Sequence, residues 1–121
     1  MIVFELLARA LARLLGQLAC FPGPMGTTIC QVRRLVPSWA GAQTWGRVIL
    51  VAEGQDWRAH WPHEYVHVRQ WRRWRVLFPL AYLLASLFVW IRGGHPYRDN
   101  PFEVEARRRA HEWARVLRNW R

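Results

Sequence analysis

The chain has 121 residues, room for one domain and little more. Its 52% hydrophobic content and nine tryptophans can build a core without disulfide staples, which excludes an intrinsically disordered chain. The formal net charge is +10 and every basic residue is arginine, so nucleic acid and an anionic membrane surface are both drawn to it. No nucleic-acid motif or basic–aromatic repeat accompanies the charge, so a nucleic-acid partner is not expected.

Residues 2–19 read as a helix. Glu5, Arg9, Arg13 and Gln17 fall four apart and leave a narrow polar stripe on an otherwise apolar cylinder. Such a helix is expected to be buried or to lie against a membrane surface. The start is not basic, and Arg9 and Arg13 interrupt the apolar stretch, so a cleaved signal is not expected. Phe21-Pro22-Gly23-Pro24 ends this first unit, residues 1–22. Cys20 and Cys30 are not spaced as CxxC and have no histidines at ligand spacing nearby. They are expected to be free thiols in a reducing cytoplasm.

Residues 28–36 and 46–52 read as strands, the second a β-branched run, and are expected to pair as a small antiparallel sheet. Residues 37–43 read as their connection. A helix is expected over 62–75, with Pro62 at its first position. Residues 76–91 are almost wholly apolar. That run is shorter than the roughly 20 residues a bilayer span needs, and Pro79, Tyr82 and Ser86 favour a buried core helix. Gly93-Gly94-His95-Pro96 breaks it. A last helix covers 101–120, with Asn100 as N-cap and Pro101 in the first turn. The two arginine clusters, Arg72, Arg73 and Arg75, then Arg107, Arg108 and Arg109, fit exposed helix faces. The expected fold is α+β: a small antiparallel sheet packed against the 62–75 helix, a hydrophobic helix and a C-terminal helix.

The chemistry lies in His63-Glu64-Tyr65-Val66-His67. On a helix, His63 and His67 project from one face and can hold one metal ion, and HExxH points to zinc. Glu64 can reach a metal-coordinated water without being a ligand and take its proton as general base. A third ligand is needed. Glu103, thirty-six positions beyond His67, opens the last helix, where a carboxylate can point back across the fold. Glu105 is a rival about 200° around the same helix, and His95 on the glycine-rich turn is another. His111 reads as a surface residue. His95, Tyr97 and Tyr82 are candidate oxyanion stabilisers.

The HExxH helix, the following long helix and then Glu103-Val104-Glu105-Ala106 resemble the gluzincin branch of zinc peptidases, whose third ligand is a glutamate often within Glu-x-x-Ala. The small members called minigluzincins are of similar length. The stretch 63–70 with Tyr97-Arg98-Asp99-Asn100-Pro101-Phe102-Glu103 is also similar to a group of small bacterial proteins. The resemblance covers residues 46–110. It implies one zincin-like domain with its zinc-binding core in 28–110, His63, His67 and Glu103 as zinc ligands, and Glu64 as base. It also implies a peptide or protein substrate, bound in extended form along the 46–52 strand. Gluzincins often carry an acid four residues after the ligand glutamate, where it supports a ligand histidine. Here Arg107 holds that place, and Asp99 is the candidate substitute. Two other readings stand beside the peptidase: a non-catalytic zinc protein, and a membrane-associated small protein.

Overall fold

A computed structural model describes residues 2–35 and 38–120. Among the described residues, four α-helices, α1 (Ile2–Leu14), α2 (Trp57–Trp74), α3 (Phe78–Ile91) and α4 (Pro101–Arg118), accompany four strands, β1 (Gln17–Pro22), β2 (Thr28–Val32), β3 (Ala42–Trp45) and β4 (Val48–Ala52). The class is α+β, as expected, but the sheet is mixed. Its order is β1-β2-β4-β3. The β1–β2 and β3–β4 pairs are antiparallel, whereas β2 and β4 run parallel, Thr28 opposite Val48 through Val32 opposite Ala52.

The expected antiparallel pairing of residues 28–36 with 46–52 is therefore overturned, and β3 is the reason. Residues 42–45, the first two of them within the expected connection, form a strand that hairpins onto β4 through Gly46 and Arg47, with Gly46 at φ 63°. That occupies one side of β4. The chain must cross to place β4 beside β2, and crossing makes the pair parallel. The far end of the expected first strand, Val36, and Pro37 lie outside the described residues. β4 is flanked on both sides, so it has no edge to offer a peptide, and that expectation is withdrawn. β3 and β1 are the edge strands.

The first helix is shorter than expected. It stops at Leu14, and Gly16, at φ 81°, turns the chain into β1. β1 lies antiparallel to β2 with Cys20 directly opposite Cys30, at a Cα–Cα distance of 4.1 Å. The two cysteines form a disulfide and are not free thiols. A helix continued through residue 19 would keep the two cysteines apart; the chain instead forms β1 from Gln17. A strand brings Cys20 across from its partner at the position where antiparallel side chains are closest. The thiol argument for a reducing compartment goes with it.

Strand alternation sorts the core into two layers. Cys30, Val32, Val48 and Leu50 face one way and pack on Ala8 and Ala12 of α1. Ile29, Ile49 and Val51 face the other way, onto Trp61, Tyr65 and Val68 of α2, with Trp113, Val116 and Leu117 of α4 behind. α2 starts five residues before Pro62. Asp56 caps it, its carboxylate accepting the Arg58 amide at 3.0 Å, and Pro62 is absorbed inside the helix. Asn100 caps α4 as expected, accepting the Phe102 amide at 2.9 Å. Its side-chain amide also donates to the Tyr82 carbonyl and the Ser86 hydroxyl, which ties α4 to α3.

α3 is not the buried core helix the sequence suggested. Phe78 is its one buried residue, and Leu83, Phe88, Trp90 and Ile91 are each more than half exposed. The reason is geometric: the sheet faces are already filled by α1 on one side and by α2 with α4 on the other.

Candidate metal centre

The helical period puts His63, Glu64 and His67 on the side of α2 that meets the start of α4 and the edge strand β3. Glu103, in the first turn of α4, brings its carboxylate to both histidines. Its Oε1 lies 3.1 Å from His63 Nε2 and 3.1 Å from His67 Nε2. His63, His67 and Glu103 form a cluster that can hold a metal ion, with their ligand atoms within 4.8 Å of one another. Two imidazoles and a carboxylate are the donor set of a three-ligand site with an open position. Glu64 is buried beside them, its Oε2 3.9 Å from His63 Nε2.

Three of these four side chains, Glu64, Glu103 and His67, are held by a further group. The Thr44 hydroxyl of β3 donates to Glu64 Oε1 at 2.8 Å. The Tyr82 hydroxyl of α3 donates to Glu103 Oε2 at 2.7 Å. Fully buried Gln70 holds His67. Its amide nitrogen donates to the Phe102 carbonyl at 3.0 Å and to Glu105 Oε1 at 2.7 Å. Its oxygen is therefore the acceptor facing His67 Nδ1, 2.8 Å away. His67 Nδ1 must donate, which leaves Nε2 turned to the cluster, the tautomer a metal ligand requires.

The electrostatics follow from this packing. Burial alone would push the His67 imidazolium down. The hydrogen bond to Glu103, the Glu64 and Glu103 charges and the Gln70 bond outweigh it and raise the pKa from 6.5 to about 9. Burial would raise Glu103, but hydrogen bonds from His63 and His67, the His67 charge and the Tyr82 hydroxyl hold it well below the carboxylate range. The chain thus keeps a negative oxygen at the cluster and attracts positive charge to it. Burial, with the charges of Glu103 and Glu64, pushes Tyr97 up to about 12, so its phenol stays protonated.

The other sequence candidates fall elsewhere. Glu105 anchors Gln70 from behind and does not join the cluster. His95 sits on the exposed turn, its Nδ1 accepting the amides of Tyr97 and Arg98. Asp99 accepts the His95 amide at 2.8 Å and supports no ligand histidine. Arg107 donates to the Arg98 carbonyl, directed at the same turn. His111 is at the surface. Sequence reading missed Gln70 and Thr44. Gln70 was legible as the polar residue one helical turn beyond His67; Thr44 was hidden because β3 was not seen.

A cleft of about 410 Å³ opens over the cluster. Glu64, His67 and Glu103 line it together with β3, and its walls are largely aromatic: Trp39, Trp45, Trp71, Phe78, Tyr82 and Tyr97. Few polar groups converging in an apolar cavity are the usual composition of a ligand site. Comparisons with protein-family models, curated proteins and solved structures find no match to this chain.

Proposed function

We propose that this chain is a zinc-dependent peptidase of the gluzincin type, with His63, His67 and Glu103 holding zinc and Glu64 as general base. The observation that carries it is the convergence of two imidazole nitrogens and a carboxylate beside a second, buried carboxylate, at the floor of an apolar cleft. Zinc held there supplies Lewis acidity and a coordinated water of lowered pKa. The residues fit that ion, because Gln70 orients His67 and Tyr82 fixes the second oxygen of Glu103.

The remaining work is done by side chains. Thr44 holds Glu64 Oε1, which leaves Oε2 on the cluster side to accept a proton from water and pass it to the leaving amine. Tyr97 lines the cleft, stays protonated and is the donor available for a developing oxyanion. His95 is left without that role. β3, the edge strand lining the cleft, and not the enclosed β4, is where an extended peptide lies. The aromatic walls favour a substrate with a large apolar side chain next to the cleaved bond.

The test is zinc content by mass spectrometry together with cleavage of a mixed peptide library, alongside Glu64→Gln. Equimolar zinc in both proteins, with cleavage reduced about 10³-fold in the variant, is expected. Equimolar zinc with no cleavage by the unaltered protein would leave a non-catalytic zinc site that pins α2 to α4. A chain that purifies from zinc-supplemented cells without the metal would end both readings.

A further inference from the structure

We propose that α3 docks this protein on anionic lipid bilayers, lying in the headgroup–acyl boundary with its outer face in the lipid. The two polar side chains of α3 face inward. Tyr82 donates to Glu103, and Ser86 donates to the Pro96 carbonyl at 2.9 Å and receives Asn100. With Phe78 they form a stripe at i, i+4 and i+8 that seats the helix on the fold. Leu80, Leu83, Leu84, Leu87, Phe88 and Ile91 are left outside, each about half exposed or more. No charged residue occurs between Val76 and Ile91. A contiguous apolar face of this kind marks an interaction surface in a soluble fold.

Its ends say what covers it. Exposed Trp74 stands beside Arg72, Arg73 and Arg75 where the chain enters α3, and exposed Trp90 beside Arg92 where it leaves. Tryptophan with arginine at each end of an apolar segment is the arrangement that places indoles at the headgroup level and cations on lipid phosphates. A second copy is disfavoured. Both ends of α3 are basic, so parallel and antiparallel pairing each set arginine against arginine, on a chain of net charge +10. An anionic bilayer neutralises both ends at once.

The length and the fold set the depth. Fourteen residues extend about 21 Å, short of the roughly 30 Å hydrocarbon core. α3 is also not continuous with α2, because Arg75, at φ 54°, turns the chain between them. With one side seated on the protein, α3 lies in the surface rather than crossing it. The exposed apolar residues of α1, Ile2, Val3, Leu6 and Leu7, extend the docking face. Phe4 packs on Trp71 at 5.0 Å and Trp71 on Phe78 at 5.1 Å, which puts α1 next to the start of α3.

The experiment is flotation of the full chain with vesicles of phosphatidylcholine alone or mixed with phosphatidylglycerol. Binding to the mixed vesicles is expected to survive a wash in about 1 M salt, where charge attraction is screened within about 3 Å. Leu84→Glu with Leu87→Glu should weaken partitioning by at least about 10-fold, with an unchanged circular dichroism spectrum. A second measurement needs no change to the apolar face. Lipids brominated near the headgroup should quench the chain's tryptophan fluorescence, and Trp90→Phe should remove part of that quenching. Full release by salt, with the leucine variant binding like the parent, would mean that the arginines alone attract lipid and would overturn the proposal. So would an absence of quenching, or a dimer in solution that the leucine variant dissociates.

Discussion

Helices α2 and α3 follow each other across a three-residue turn, yet they have opposite fates. α2 carries arginines and histidines and still buries eight residues, among them Glu64, His67 and Gln70. α3 has no charge along its length and buries only Phe78. Hydropathy does not decide burial here; the supply of partners does. α2 lies between the sheet and α4, where each buried polar group finds a donor or acceptor: His67 with Gln70, Gln70 with Phe102 and Glu105, Glu64 with Thr44. α1 covers one sheet face and α2 with α4 the other, which leaves α3 outside both. Its apolar surface is left exposed, while the polar surface of α2 is enclosed to make a site.

The packing half of this contrast can be broken most directly by truncation. Trp61→Ala removes a fully buried indole that stacks on Tyr65 at 4.7 Å, and should cost about 3–5 kcal/mol. Leu84→Ala removes a side chain that is 56% exposed and should change stability by less than about 0.5 kcal/mol. Urea unfolding of the two variants measures both. A loss from Leu84→Ala comparable to that from Trp61→Ala would mean that α3 packs against something in solution.

The polar half is tested by pH in the metal-free chain. His67 has its pKa raised from 6.5 to about 9, so its contribution is complete below about 6.5 and is lost as pH rises toward 9. Glu103 is depressed below its ordinary 4.5, so its contribution is complete above about 4.5 and is lost on further acidification. Metal-free protein should therefore be most stable between about pH 4.5 and 6.5, and lose up to about 3 kcal/mol by pH 9. Metal-loaded protein should not show the alkaline loss, because the cation takes the place of the His67 proton. Melting temperatures with and without chelator across this range provide the comparison. Parallel curves would mean that His67 and Glu103 are not coupled as described.

What the sequence disclosed follows the same division. His63, Glu64 and His67 on one face, Glu103 at the start of α4 and the Asn100 cap were all legible, because each depends on helical spacing within a few residues. The β1 and β3 strands, the Cys20–Cys30 bond and the parallel β2–β4 ladder were not, because each is decided by a partner distant in the chain. Leu18-Ala19-Cys20 suits a helix as well as a strand until β2 is beside it. The exposure of α3 belongs to the same class. Its composition suits a core, and only the covering of the sheet by α1, α2 and α4 excludes it.

Gln70 joins the two kinds of information, and its variants should have the smallest effect of the three tests. It lies one turn beyond His67, a local relation, but its orientation is set from α4 by Glu105 and the Phe102 carbonyl. Gln70→Leu keeps the volume and removes the acceptor for His67 Nδ1. The imidazole is then free to adopt the other tautomer, and zinc affinity should fall about 10- to 100-fold in a chelator competition assay. A purely structural role would lower stability without that loss. The exchange Gln70→Glu with Glu105→Gln separates the two. It keeps the net charge, presents a carboxylate to His67 Nδ1 and supplies a new amide donor from position 105, while the Phe102 carbonyl loses its partner. Zinc affinity should return toward that of the parent while unfolding stability stays reduced, because the first depends on the acceptor and the second on the whole network. Affinity that stays low in the exchanged protein would show that Gln70 holds the fold and not the histidine.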